Sequence, residues 1–496
     1  MKVDEIVKML NIISEEVMSL KEKNQKEGAE KEEDSLKKHE TMYRMARSYP
    51  IKTHLIKNYD ERIQKMYLSS LIYLFQDNTN ENLFWRRRLL IYRILASVDN
   101  NFEIDEYVAQ SMKIDSRYLD EFIEDTDRKV KNSFVVDMLL LLSLDNENSK
   151  RSDFETVTDV IQYFQISKEE LRHLSAIAKA ILQQRFDSFI ELIKKDDDIN
   201  YTLFLGYFDK NKFSSVVTDI EELDSATGNV LVANATVQNQ EEYIDLSSSV
   251  ADTICFTKCT FSYIRGIIST AQIPITFDKC LFEGSYINTV SGGLSEGLIG
   301  GLSGDRYEED YTFISGENYR FINTKFINCK VSKHLLNVTN SVIRDCEIKN
   351  CEGLDLPCEY LFHLEDTVVE RTKFIECKMA TDHNNRGFTK GGILMIERGK
   401  LSDCIFEKCS AYGNSNYGSY ASYEMQIVLA RNTTVTNCNF NDCSCSSYDS
   451  NEKKVKSYIV GLKNAVSENN EFYECRAAHY KDGDFLSLEN NVGTLN

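Results

Sequence analysis

Cys404-Ile405-Phe406-Glu407-Lys408-Cys409 and Cys438-Asn439-Phe440-Asn441-Asp442-Cys443 are two whole copies of one block, C-x-F-x-x-C. Looser copies run Thr324/Phe326/Cys329, Cys346/Ile348/Cys351, Thr372/Phe374/Cys377 and Asn470/Phe472/Cys475, and two earlier ones begin at Cys259/Phe261 and Cys280/Phe282. An apolar residue stands three positions before the start of each of the first seven copies: Phe256, Phe277, Phe321, Ile343, Val369, Leu401 and Val435. Short apolar stretches such as Leu335–Val338, Leu361–Leu364, Ile393–Ile396 and Ile427–Ala430 lie further upstream. The first positions advance by 21, 44, 22, 26, 32, 34 and 32 residues. Fixed internal spacing with variable gaps is the signature of a solenoid whose insertions leave from one corner.

Apolar residues within the block fall at alternate positions, the period of a strand and not of a helix. About 21 residues suffices for one coil of three short strands. Stacked coils bring equivalent positions to roughly 4.8 Å, so the phenylalanines form one internal ladder and the cysteines two more. This pattern resembles the right-handed parallel β-helix of pectate lyases and phage tailspikes, over about residues 245–480. The expected fold is therefore an all-α first half followed by a parallel β-helix, with 201–244 as linker and cap and 481–496 as a tail.

All 14 cysteines lie between Cys255 and Cys475, and the chain contains no C-x-x-C pair. Their strict phase with the repeat marks them as small, soft fillers of inward positions. Free thiols in such number need a reducing compartment. Met1-Lys2-Val3-Asp4-Glu5 has no signal-peptide core. The longest apolar run, Phe134–Leu144, is broken by Asp137 and too short to span a bilayer. The expectation is a cytoplasmic protein without a membrane span. A net charge of −20 disfavours nucleic acid as partner. The one basic cluster, Arg86-Arg87-Arg88, reads as a solvated helix edge or as a partner for nearby carboxylates.

Residues 1–200 read as helix. Val3, Ile6, Leu10, Ile13, Val17 and Leu20 form a short heptad stripe within 1–40, which either packs on its own domain or assembles a homo-oligomer through residues 3–20. Within 41–200 a degraded motif occurs twice. It runs from Leu95 through Asp99, Glu103 and Glu106 to Ile114-Asp115-Ser116, then from Leu142 to Ile166-Ser167-Lys168-Glu169-Glu170. Each copy has an apolar helix, an acidic turn, a second helix and a cap, and Ser167 with Glu170 has capping-box spacing. The pattern resembles the tellurite-resistance TerB-like helical domain. Asp99 and Glu106 match that family's Asp and Glu, and Asn100 replaces its glycine. The resemblance implies a divalent cation, Ca²⁺ or Mg²⁺, at Asp99, Glu103 and Glu106, hard oxygen ligands suited to either ion. Acidic residues at a helix N-terminus are equally what the helix dipole favours.

Phosphate-loop, serine-hydrolase, zincin and dinucleotide signatures are absent. Two surface features remain. The Gly-rich segment 291–304, inside the 44-residue step, carries Leu294, Leu298, Ile299 and Leu302 as an apolar set for binding a protein partner. On the solenoid face, Asp345 and Asp403 lie two coils apart, roughly 9–10 Å by strand spacing, at the upper edge of an inverting glycosidase. Arg371 and Lys373 fall between them, as in a cross-strand charge ladder. The sequence thus points to a non-enzymatic scaffold, in a bacterial stress or anti-phage setting by family resemblance. A carbohydrate-active β-helix enzyme using Asp345, Arg371 and Asp403, or a phage tail-like structural protein, are the alternatives.

Overall fold

Gln165 and Gln184 hold left-handed backbone (φ 54° and 50°) where two helices stop, and each closes its helix with a six-residue hydrogen-bonded turn. These bonds are Ile166 N–H to Ile161 O at 3.1 Å and Arg185 N–H to Ala180 O at 3.0 Å. The computed structural model describes residues 35–51, 54–75, 85–99, 102–144, 151–194, 199–209, 212–270, 272–285, 312–331, 333–353, 360–382, 388–414, 422–449, 458–481, 484–488 and 492–494. It divides into two units, Met1–Val216 and Val217–Asn496.

The first unit is helical: Ser35–Ser48, Glu61–Phe75, Trp85–Val98, Ile104–Ser111, Ser116–Asp125, Arg128–Leu144, Arg151–Tyr163, Lys168–Leu182 and Phe186–Leu192. The two caps read in the sequence form. Asp115 accepts from Tyr118 N–H at 2.9 Å, and Ser167 and Glu170 close a reciprocal capping box. The helix Arg128–Leu144 is buried along nearly its whole length, Val130 through Ser143 apart from Lys131, as its unbroken apolar character requires.

Asp137 interrupts that helix and is fully buried. Its carboxylate accepts from the Tyr67 hydroxyl at 2.6 Å, from the Tyr207 hydroxyl at 2.5 Å, and pairs with His54 Nε2 at 3.0 Å. His54 Nδ1 accepts the Ile56 N–H at 3.3 Å, so Nε2 carries the proton given to Asp137. Three donors satisfy a carboxylate that burial would otherwise make very costly.

Arg87 departs from the solvated-edge expectation. It is buried, donates from Nε to the Leu141 carbonyl at 2.8 Å, and lies over the Phe75 ring at 5.3 Å. The Leu141 carbonyl and the π face of Phe75 both favour its positive charge. No described helix is long and apolar enough to cross a membrane.

The second unit is a parallel β-helix. One coil runs through His334–Thr339, Val342–Arg344, Glu347–Lys349 and Glu352–Gly353. The next begins at Tyr360, in register with it (Leu336 on Phe362, Ile343 on Val369, Ile348 on Phe374). Each such coil therefore has four strand segments, where three were expected. The extra side arises because the corners follow one another every five residues: Asn340, Asp345 and Asn350 in this coil, each with positive φ. The coils also begin earlier than residue 245. Gly228–Ala233, Thr236–Gln238 and Ile244–Asp245 already pair with the strands that follow, so the later part of the expected linker and cap is itself a coil. That coil escapes the block because Ala235 and Val237 replace its cysteine and phenylalanine. Nor is the region after 480 a simple tail: Asp484–Leu488 pairs antiparallel with Arg476–Lys481, and Val492–Thr494 pairs parallel with Tyr458–Lys463.

Inside, the ladders stack ring on ring. Phe261, Phe282 and Phe326 lie 4.7 Å apart; Phe374 and Phe406 follow at 4.5 Å, Phe406 and Phe440 at 4.8 Å, and Phe440 and Phe472 at 5.0 Å. A second ladder runs Phe256, Phe277, Phe321, then Ile343, Val369, Leu401 and Val435, all buried.

Candidate functional site

The column that includes Asp345, Arg371 and Asp403 is a corner of the solenoid. Asn323, Asp345, Arg371, Asp403, Asn437 and Asn469 occupy successive coils, with φ between 48° and 56°. Asparagine and aspartate tolerate this left-handed region best among residues with a side chain. The acids are therefore explained first by backbone conformation. The corner leaves the ladder unbroken: Asp345 N–H reaches Glu370 O at 3.1 Å, Arg371 N–H reaches Ser402 O at 3.1 Å, and Asp403 N–H reaches Thr436 O at 3.0 Å.

Arg371 donates to Asp345 in a two-pronged pair, Nε to Oδ1 at 2.7 Å and Nη2 to Oδ2 at 2.8 Å. The Arg371 guanidinium holds the Asp345 carboxyl below the usual aspartate range. On the next coils Asn437 donates to Asp403 at 3.1 Å. The neighbouring corners repeat the arrangement. Asn340 donates to Asn318 at 2.6 Å, Asn350 to Asn328 at 2.7 Å, and Arg398 to both oxygens of Asp366 at 3.1 Å. Glu370 is clamped between coils by Arg344 at 2.9 Å and Lys400 at 3.2 Å, and Lys400 is the larger cause of its lowered pKa.

Directly after many of the corner residues stands a buried Cys, Thr or Ser with one shared chemistry. Cys346 Sγ donates to the Arg344 carbonyl at 3.2 Å, Thr372 Oγ1 to Glu370 O at 3.1 Å, and Cys404 Sγ to Ser402 O at 3.2 Å. At another corner Ser341, Thr367 and Thr433 do the same at 2.8, 2.7 and 2.8 Å. The cysteines are thus small donors bonding the carbonyl two residues back, interchangeable with Thr and Ser, as well as fillers. None of the 13 described cysteines forms a disulfide. Burial pushes the Cys346 thiol up to about 12 and raises Cys351 and Cys409 well above the ordinary range. Cys438, accepting a hydrogen bond from Cys404, shifts downward.

Two of the acidic-turn residues have defined places. Glu103 is the N-cap residue of Ile104–Ser111 without a capping bond, and Glu106 pairs with Lys65 at 2.9 Å. Among the described residues no three His, Cys, Asp or Glu side chains are grouped to hold a metal ion. Leu294, Leu298, Ile299 and Leu302, and the stripe at residues 3–20, lie outside the described residues.

Sequence reasoning missed the polar cluster around Asp137. Its signal was present: a single carboxylate inside an eleven-residue apolar run, Phe134–Leu144, must find buried partners.

No protein-family model matches the chain, and no curated protein matches it. Among solved structures, two of the Streptococcus pneumoniae surface adhesin PfbA are similar at 11% identity. One match covers 50% of this chain and 75% of that one with a TM-score of 0.22; the other covers 57% and 82% with 0.24. QnrB1, a plasmid-mediated fluoroquinolone resistance protein, is similar at 10% identity over 50% of this chain and 91% of that one, with a TM-score of 0.15. Likenesses this slight carry no weight for function, and the β-helix rests on the strand pairing itself.

Proposed function

We propose that the chain is a non-catalytic scaffold in which the β-helix presents a binding platform and the helical unit serves assembly or sensing. The observation behind this reading is the Arg371–Asp345 clamp. An inverting glycosidase needs one carboxyl that stays protonated near neutral pH. Asp345 is held ionised, and the guanidinium that holds it stands between the two acids. Asp403 is engaged by Asn437. The corner chemistry joins coil to coil and leaves no protonated carboxyl at Asp345.

A protein partner is the proposed ligand, contacted by Leu294, Leu298, Ile299 and Leu302. A reducing, cytoplasmic address fits the free thiols, and the TerB-like pattern supports a bacterial stress or anti-phage setting. The test is in-cell cross-linking of full-length protein in its native host, comparing wild type, a deletion of 291–304 and D345N/D403N. A specific cross-linked partner should persist in D345N/D403N and disappear in the deletion. Persistence in the deletion, with loss in D345N/D403N, would overturn the reading.

A further inference from the structure

A pocket of about 250 Å³ is lined by residues of the helical unit. Leu90, Leu140, Ile181 and Leu182 are among its apolar lining residues, and Arg93, Gln184 and Tyr207 also line it. It exceeds the roughly 150 Å³ apolar cavity that accommodates benzene, so a short alkyl chain fits.

Most of the polar groups are already engaged. The Tyr207 hydroxyl bonds Asp137. Gln184 Nε2 donates to Ile181 O at 2.9 Å and Tyr207 O at 3.0 Å, and its Oε1 accepts Asp209 N–H at 3.0 Å. Arg93 is different. Nε donates to Tyr49 O at 2.8 Å, and Nη2 makes a long 3.4 Å pair with exposed Asp209. Among the described residues nothing accepts from Nη1. The pocket therefore pairs an aliphatic wall with one guanidinium that has N–H groups to spare, and that fork matches a carboxylate. A dianion such as a phosphate monoester would bring a second charge that one arginine, already facing Asp209, does not neutralise.

We infer that this pocket binds a small aliphatic monocarboxylate, its chain against Leu90, Leu140, Ile181 and Leu182 and its carboxylate on Arg93.

The experiment is titration calorimetry on the full chain with octanoate, octanol and octylamine as probes. Wild type should bind octanoate saturably at one site, with octanol and octylamine at least about tenfold weaker, the usual loss when a charge-assisted hydrogen bond is missing. R93M should lose the preference for octanoate over octanol, and L182W, which fills the pocket, should lose binding of both. Circular dichroism checks that each variant is folded. Should L182W not fold, the octanol comparison and R93M still decide. No saturable octanoate binding, octanol bound as tightly as octanoate, or an R93M variant that binds octanoate like wild type would each overturn the assignment.

Discussion

Arg371 stands one coil above Asp345 and grips both of its carboxylate oxygens, at 2.7 and 2.8 Å. Both residues have left-handed backbone, so two side chains placed there by a turn become the tie between adjacent coils. The same relation recurs as Arg398 on Asp366 and, with amides in place of charges, as Asn340 on Asn318.

The pH dependence of this tie has a definite sign. The folded Asp345 carboxyl is depressed, so its contribution is present above the ordinary aspartate range of about 4 and is lost as pH falls through the lower folded value. Wild type should therefore exceed R371M in stability at neutral pH, by a small margin because both side chains are solvent-exposed. That margin should shrink in acid. Urea unfolding of both proteins along a pH series measures it, and a margin that grows below about pH 4 contradicts the assignment.

Phe406 is fully buried between Phe374 and Phe440 with nearly parallel rings. Phe406→Ala should destabilise the β-helix by about 3–5 kcal/mol, because coils fixed at strand spacing cannot collapse into the void. Denaturant unfolding gives the number. A loss under about 1 kcal/mol would mean that Phe406 does not belong to the internal ladder.

Asp137 answers three buried donors at once. Asp137→Ala strands His54, Tyr67 and Tyr207 and should lower the stability of the helical unit by about 3 kcal/mol or more. The measurement is urea unfolding followed by circular dichroism at helical wavelengths. An unchanged midpoint would show that water reaches the cluster.

Thiols that burial keeps protonated should be slow to react. Cys346, Cys351 and Cys409 should resist iodoacetamide in the native protein and react fully after denaturation, read by mass spectrometry. C346T should fold normally, since Thr324 and Thr372 already fill the same column. Rapid native labelling of these three would indicate that the coils open.

The β-helix was legible because Phe406, Phe440 and their counterparts recur in phase with inward cysteines, and inward ladders tolerate little variation. The four-sided coil was not, because corner residues are chosen for left-handed backbone and for pairing with the next coil. Asn, Asp, Arg, Lys and Glu all serve there, so no single letter repeats. The repeat phase did place Arg371 between Asp345 and Asp403 although it is 26 residues from Asp345, which is why the charge ladder was readable beside the catalytic alternative. In the helical unit the caps at Asp115 and Ser167 were readable because they act over three residues. The partners of Asp137 lie 70 and 83 residues away and leave no local trace. The pairing of Glu106 with Lys65 left no local trace either, because Lys65 comes from another helix.

The central claim, a scaffold whose corner acids are structural, is tested most directly by assaying wild type and D345N/D403N against a panel of acidic and neutral polysaccharides for new reducing ends and unsaturated products. The account predicts no product that depends on the two aspartates, and near-identical unfolding curves for the two proteins. Robust turnover by wild type that disappears in a well-folded D345N/D403N would contradict it and restore the enzyme.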